Sequence, residues 1–272
     1  SDVYKRQHWA RQNPAPQKNQ KTAAKLLLLC LRQNVHYMLV NKRHLATNFN
    51  MSALKSMIAI FRSVLRTIGF IKDPPLKTRQ QLYDFIDSRA AFVSQVTLYT
   101  YVKARAGTQF PKLFQNDDFL TSLRIARWHV YGAAICDLGL FAIAQLTRDG
   151  GLNDKSAQEL AIEMLDGILL DYNQDDIDPQ VFAAMGDSGK QRAAFANWDV
   201  IADGPAAFQS SSDAVFRWAP IADALKNDDE EIVRNSIHLR WIGVRRDLKE
   251  LIKPALILAD WHEPDRPNPP SI

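Results

Sequence analysis

Cysteine is nearly absent from this chain, and that scarcity narrows its class before anything present is read. The two cysteines in 272 residues, Cys30 and Cys136, form no CxxC pair and no Cys/His cluster. That excludes a disulfide-stapled scaffold and a structural zinc site, and it suits a reducing, cytoplasmic setting. No sustained run of alternating β-branched residues occurs, no βαβ rhythm and no repeat at a fixed period. Sheet-based and solenoid architectures are therefore not expected. HExxH and ExxH pairs are missing, so neither a metal nor a cofactor is implied.

Acid is scarce at the start. Of 34 Lys/Arg and 30 Asp/Glu, nine and one respectively fall in residues 1–50, a net of +8, which leaves −4 for residues 51–272. The basic balance belongs to the first fifty residues, so nucleic-acid binding by the body of the chain is not expected. Residues 1–21 are polar and aperiodic, and the apolar run Leu26–Leu31 is too short for a signal h-region. Residues 1–50 read as upstream translation or a basic disordered arm. Periodicity begins at Met51, the expected native start.

What is present is helix after helix. Residues 52–72 space Leu54, Met57, Ile58, Phe61, Val64, Leu65 and Ile68 along one helical face, with Lys55, Arg62 and Arg66 on the opposite stripe and no acid. Basic amphipathic helices of this build lie on anionic membrane surfaces or dock into partner grooves. Lys55, Phe61, Arg62, Leu65 and Arg66 are thus the expected membrane- or partner-binding residues, and the Pro74-Pro75 pair ends the segment at residue 76. A second helix is expected from a capping box at Thr78 and Gln81 to Gly107.

The longest apolar helix is expected over about residues 118–147, capped by Asp117 or Asp118. Apolar residues surround the wheel between Trp128 and Leu146, the pattern of a helix enclosed by others. Gly132 and Gly139 mark a face for close approach. That stretch approaches membrane-spanning length, but Asp137 would lie at mid-depth at roughly 2.5–3.5 kcal/mol. A helix over 154–171 follows, with Leu160, Met164, Leu165 and Ile168 inward. Short helices are expected at 179–185, 189–202 and 205–226, broken by Gly186, Gly189 and Gly204-Pro205. The last long helix starts near Asp228, its seam running Ile237, Trp241, Val244, Leu248, Leu251, Ala255 and Leu258, kinked at Pro254. The end, residues 261–272, is proline-rich and expected to be extended. The fold class is all-α: a compact bundle of about seven or eight helices over residues 77–260, with an amphipathic helix preceding it.

Three motifs compete for a chemical role. Gly186-Asp187-Ser188-Gly189-Lys190 lacks the glycine spacing of a phosphate loop and the frame of a nucleophile elbow, so it reads as an interhelical loop. Asp171, Asn173 and Asp175 match the start of a calcium loop, which then fails at Asp176 and Phe182, where glycine and glutamate are needed. Arg124, Arg127, His129 and Asp137 place charge on the apolar helix. Buried charge is costly without a partner, so Asp137 is expected to meet an arginine from another helix. Alternatively the four line a small-ligand site between helices, His129 and Asp137 serving as acid and base and Arg124 and Arg127 binding an anion. The tryptophans at 128, 198, 218, 241 and 261 are expected as core anchors. Two function classes follow: a non-catalytic helical adaptor or accessory protein at the cytoplasmic face of a membrane or membrane complex, and an enzyme or small-ligand binder.

Overall fold

A computed structural model of the chain describes residues 73–170 and 178–262. The chain divides into two compact units, residues 1–73 and 74–272, and the described helices belong to the second. Among the described residues there are eight helices of six residues or more: α1 (Arg79–Ala106), α2 (Asp117–Gly150), α3 (Asp154–Leu170), α4 (Pro179–Ala194), α5 (Trp198–Asp203), α6 (Gln209–Trp218), α7 (Glu230–Leu251) and α8 (Pro254–His262). Single helical turns link them at 107–113 and 223–229. Strands are absent from the described residues, so the all-α expectation holds.

Capping chemistry sets most of the helix ends. Thr78 Oγ1 accepts from the Gln81 amide, and the Gln81 side chain reaches back to the Lys77 amide at 2.9 Å. This is a capping box displaced by one residue, since its return bond lands before the cap itself. Gly107, at φ 52°, closes α1. Helix α2 is capped by Asn116, whose Oδ1 accepts from the Phe119 amide at 2.9 Å. Asp117 and Asp118, expected as caps, instead occupy the first turn, where their charge favours the helix N-terminus. Gly151, in the left-handed region at φ 73°, ends the helix.

Helix α2 is the axis of the bundle and packs against α1, α3, α4, α5, α6 and α8. From Val130 to Leu146 nearly every side chain is buried, as the apolar wheel implies. The helix is long and apolar enough to cross a bilayer, but 89% of its most apolar window is buried inside the bundle. Each fully buried Leu, Ile or Phe contributes roughly 1.5–3 kcal/mol. On α3 the inward set Leu160, Met164, Leu165 and Ile168 is buried as expected.

Two local expectations are corrected. Gly186 and Gly189 do not break a helix; α4 runs unbroken from Pro179 to Ala194, so the GDSGK run is helical rather than a loop. Tertiary packing overrides the poor helix propensity of glycine here. A Cβ at Gly189 would stand 2.6 Å from Cys136 Sγ and 2.9 Å from Leu165, so the missing side chain lets α4 lie close to α2 and α3. Gly132 and Gly139 behave alike, with Met185 and Met164 filling the space beside them.

Pro254 does more than kink the last helix. Helix α7 stops at Leu251, Ile252 turns extended (φ −63°, ψ 136°), and α8 begins at Pro254. Proline has no amide donor and disfavours helical geometry just before it. The freed backbone pairs elsewhere: the Leu76 amide donates to Leu251 O at 2.9 Å, and the Lys253 amide donates to Leu76 O at 3.0 Å. The seam is buried through Ile237, Trp241, Val244 and Leu248. After the break its phase changes, leaving Ala255 exposed and burying Ile257 and Trp261 instead.

Candidate functional site

Asp137 lies at the centre of α2 with no solvent exposure. Both carboxylate oxygens are occupied. Arg192 Nη1, from α4, donates to Oδ1 at 2.7 Å, and the Ser211 backbone amide, from α6, donates to Oδ2 at 2.7 Å. Ser211 stands in the first turn of α6, and the residue preceding that helix supplies no side-chain cap. One of the amides that every helix N-terminus leaves unpaired is therefore satisfied by a carboxylate from a different helix. Arg192 Nη2 donates to Ala207 O at 3.0 Å, fastening the turn that leads into α6. Ser211 Oγ in turn accepts from Trp241 Nε1 of α7 at 3.0 Å. A single buried network thus joins α2, α4, α6 and α7.

Burial pushes the Asp137 carboxyl above its ordinary value, while Arg192 and the Ser211 bonds pull it back. The expected arginine partner is found. Its identity was not legible, because Arg192 lies in the stretch read as short helices parted by glycine. Read as one helix, that stretch puts Gly189 and Arg192 three apart on one face, the signal that would have located it.

The other candidates on α2 do not gather around Asp137. His129 lies eight residues earlier, about 12 Å along the axis and about 80° around it for an ideal helix. Its ring stacks flat on Trp218, centroids 3.5 Å apart and planes 4° apart. Burial lowers its pKa, so it is neutral at pH 7. Arg127 lies over the Trp128 ring at 5.3 Å. Arg124 is exposed, and its Nη2 donates to Thr121 Oγ1 at 3.3 Å. Four of the five tryptophans named above anchor the core, and Trp218 is the exception at 38% exposure.

A second cluster went unread in the sequence. Asp229, between α6 and α7, accepts from Arg105 at both oxygens and from the Tyr101 hydroxyl at 3.0 Å. Arg105 Nη2 also donates to Leu225 O at 3.0 Å. The Arg105 hydrogen bonds hold the Asp229 carboxyl low, and burial together with the bond to Asp229 pushes the Tyr101 phenol up to about 12. The cluster ties the turns at 223–229 to the end of α1.

Cys136, beside Asp137, is buried, and its Sγ donates to Met185 O at 3.6 Å. Burial and the neighbouring carboxylate push its thiol up to about 12. A thiol so placed is inert, because the thiolate is the nucleophile. Native chain treated with iodoacetamide at pH 8 is expected to leave Cys136 unmodified, while chain unfolded in guanidinium alkylates it fully. Peptide mass spectrometry reads both states, and rapid native labelling of Cys136 would contradict this packing.

Among the described residues no group of three or more His, Cys, Asp or Glu is placed to hold a metal ion. Lys55, Phe61, Arg62, Leu65 and Arg66, and the acidic run starting at Asp171, lie outside the described residues. No family model, no curated protein and no solved structure matches this chain.

Proposed function

We propose that this chain is a non-catalytic helical adaptor, held at the cytoplasmic face of a membrane or membrane complex by residues 52–72. The observation that carries the non-catalytic part is the occupancy of Asp137. Its two oxygens are bound by Arg192 and by the Ser211 amide, both groups of the fold itself. A general base must lie within reach of a substrate proton, and Asp137, held by these two groups, has no solvent exposure. The neutral His129 is turned onto Trp218, away from any shared task with Asp137.

The membrane part rests on sequence: Lys55, Arg62 and Arg66 oppose Phe61 and Leu65 on one helical period, with no acid between. Each basic residue near an anionic surface contributes about 1 kcal/mol. Reversing two of them should then weaken binding about thirtyfold or more. The test floats the full chain with phosphatidylserine-containing vesicles and with pure phosphatidylcholine vesicles, at low and high salt. Wild type is expected to float only with the anionic vesicles and only at low salt, and R62E/R66E with neither. A wild-type chain that stays at the bottom of every gradient removes the membrane part of the reading.

A further inference from the structure

Helix α7 is apolar on two faces, and the fold uses one of them. Val233, Ile237, Trp241, Val244 and Leu248 face the core. On the opposite side Ile232 and Leu239 are each 69% exposed and Ile242 is 51% exposed. At 100° per residue these three lie within about 80° of one another. Isolated exposed leucines are ordinary, but an apolar row along one helix marks a contact surface.

Gly243 sits beside that row and differs from the other helical glycines. Gly132, Gly139, Gly150, Gly167, Gly186 and Gly189 each have a side chain within about 3.1 Å of where a Cβ would stand, whereas Gly243 has nothing within 4 Å. Glycine is a poor helix former, so each of the others has a packing reason inside the bundle that Gly243 lacks. A glycine on an outer face lets a second helix backbone come close.

The ends of α7 carry opposite charge. Residues 228–234 carry four acids and Arg234, and residues 245–253 carry four Lys/Arg with Asp247 and Glu250, so the start is net acidic and the end net basic even after the Glu230–Arg234 and Arg246–Asp247 pairs. A copy of the same helix running antiparallel sets each acidic end along the other's basic end. It also places Leu239 of each copy over Gly243 of the other, since both lie about equally far from the helix midpoint. Such a contact is self-complementary, as a two-fold interface requires. We infer that the outer face of α7 is a homodimer interface in which two α7 helices pair antiparallel through Leu239, Ile242 and Gly243.

This inference is independent of the membrane reading, and a different experiment tests it. Sedimentation equilibrium of the full chain is expected to give twice the monomer mass at low salt. Leu239→Glu and Gly243→Leu are each expected to give one chain that keeps its helical circular dichroism, because both positions face outward. Glu231→Lys is expected to weaken the dimer at least tenfold, and so is high salt, because both remove the attraction between opposite ends. A wild type that sediments as one chain overturns the inference and leaves this face to a different protein. A dimer that survives both Leu239→Glu and Ile242→Glu overturns it as well.

Discussion

Replacing Asp137 by alanine is expected to destabilise the helical unit by about 3 kcal/mol, at the lower end of the 3–5 kcal/mol for breaking a buried ion pair. The lower end applies because the Arg192 side chain is 28% exposed and can turn toward water, while Asp137 is fully buried. The Ser211 amide has no such escape and is left without an acceptor. For a unit of this size each kcal/mol moves the melting temperature by roughly 2–4 °C, so a fall of roughly 6–12 °C is expected. Arg192→Met leaves the opposite orphan, a buried carboxylate without its counter-charge. Burial already raises the folded pKa of Asp137, and removing the guanidinium raises it further. An acid whose pKa is raised on folding contributes stability at low pH and loses it as pH climbs through the raised value. The unfolded pKa is common to both chains and cancels, so the gap in melting temperature between wild type and Arg192→Met should widen as pH climbs past the raised folded pKa of wild-type Asp137 toward the still higher one of the variant. A gap that stays constant from pH 4 to 8 would mean that Arg192 does not hold this carboxylate.

Trp241→Ala is expected to cost about 3–5 kcal/mol, as large aromatic truncations in a core do. The ring is 1% exposed and meets Phe208 at 4.7 Å between centroids, and Phe208 in turn meets Phe141 at 5.4 Å. Trp241→Phe separates the two parts of this loss. It keeps most of the aromatic contact but removes the indole N–H that Ser211 Oγ accepts, for about 1 kcal/mol. Guanidinium unfolding curves measure both variants. In a double-mutant cycle, Trp241→Phe and Ser211→Ala should show a coupling of at least about 0.5 kcal/mol, since the two side chains share one bond. Strict additivity would remove that hydrogen bond from the account of the core.

The elements that the sequence foretold are those whose cause is local or periodic. Thr78 with Gln81 and Gly107 act within a few residues, and the apolar wheel of α2 follows from helical period alone. What escaped depends on partners distant in the chain. Gly186 and Gly189 look like helix breakers until Leu169 is seen beside the first, and Cys136 and Leu165 beside the second, pressing on the space that their missing side chains leave. Pro254 looks like a kink until Leu76 is there to receive the backbone freed at Leu251 and Lys253. For the candidate site, the burial of Asp137 and the kind of partner it requires were legible from the cost of isolated charge. Arg192 itself, the Ser211 amide and the Arg105–Asp229–Tyr101 cluster were not, because no spacing rule links residues so far apart. Arg124, Arg127 and His129 share a helix with Asp137, yet a common helix gives no common face.

The pairing of Leu76 with Leu251 and Lys253 has a consequence for the order in which the fold is completed. Its neighbour is the bond from the Arg79 amide to Asp260 Oδ2, 2.8 Å long and spanning 181 residues. Both fasten the beginning of α1 to the end of the bundle. Contacts that close so long a loop are late and slow to form, because the entropy of closure precedes any gain from the contact. During synthesis α2, which packs along α1, emerges directly after it, but the start of α1 must stay unfastened until α8 has left the ribosome.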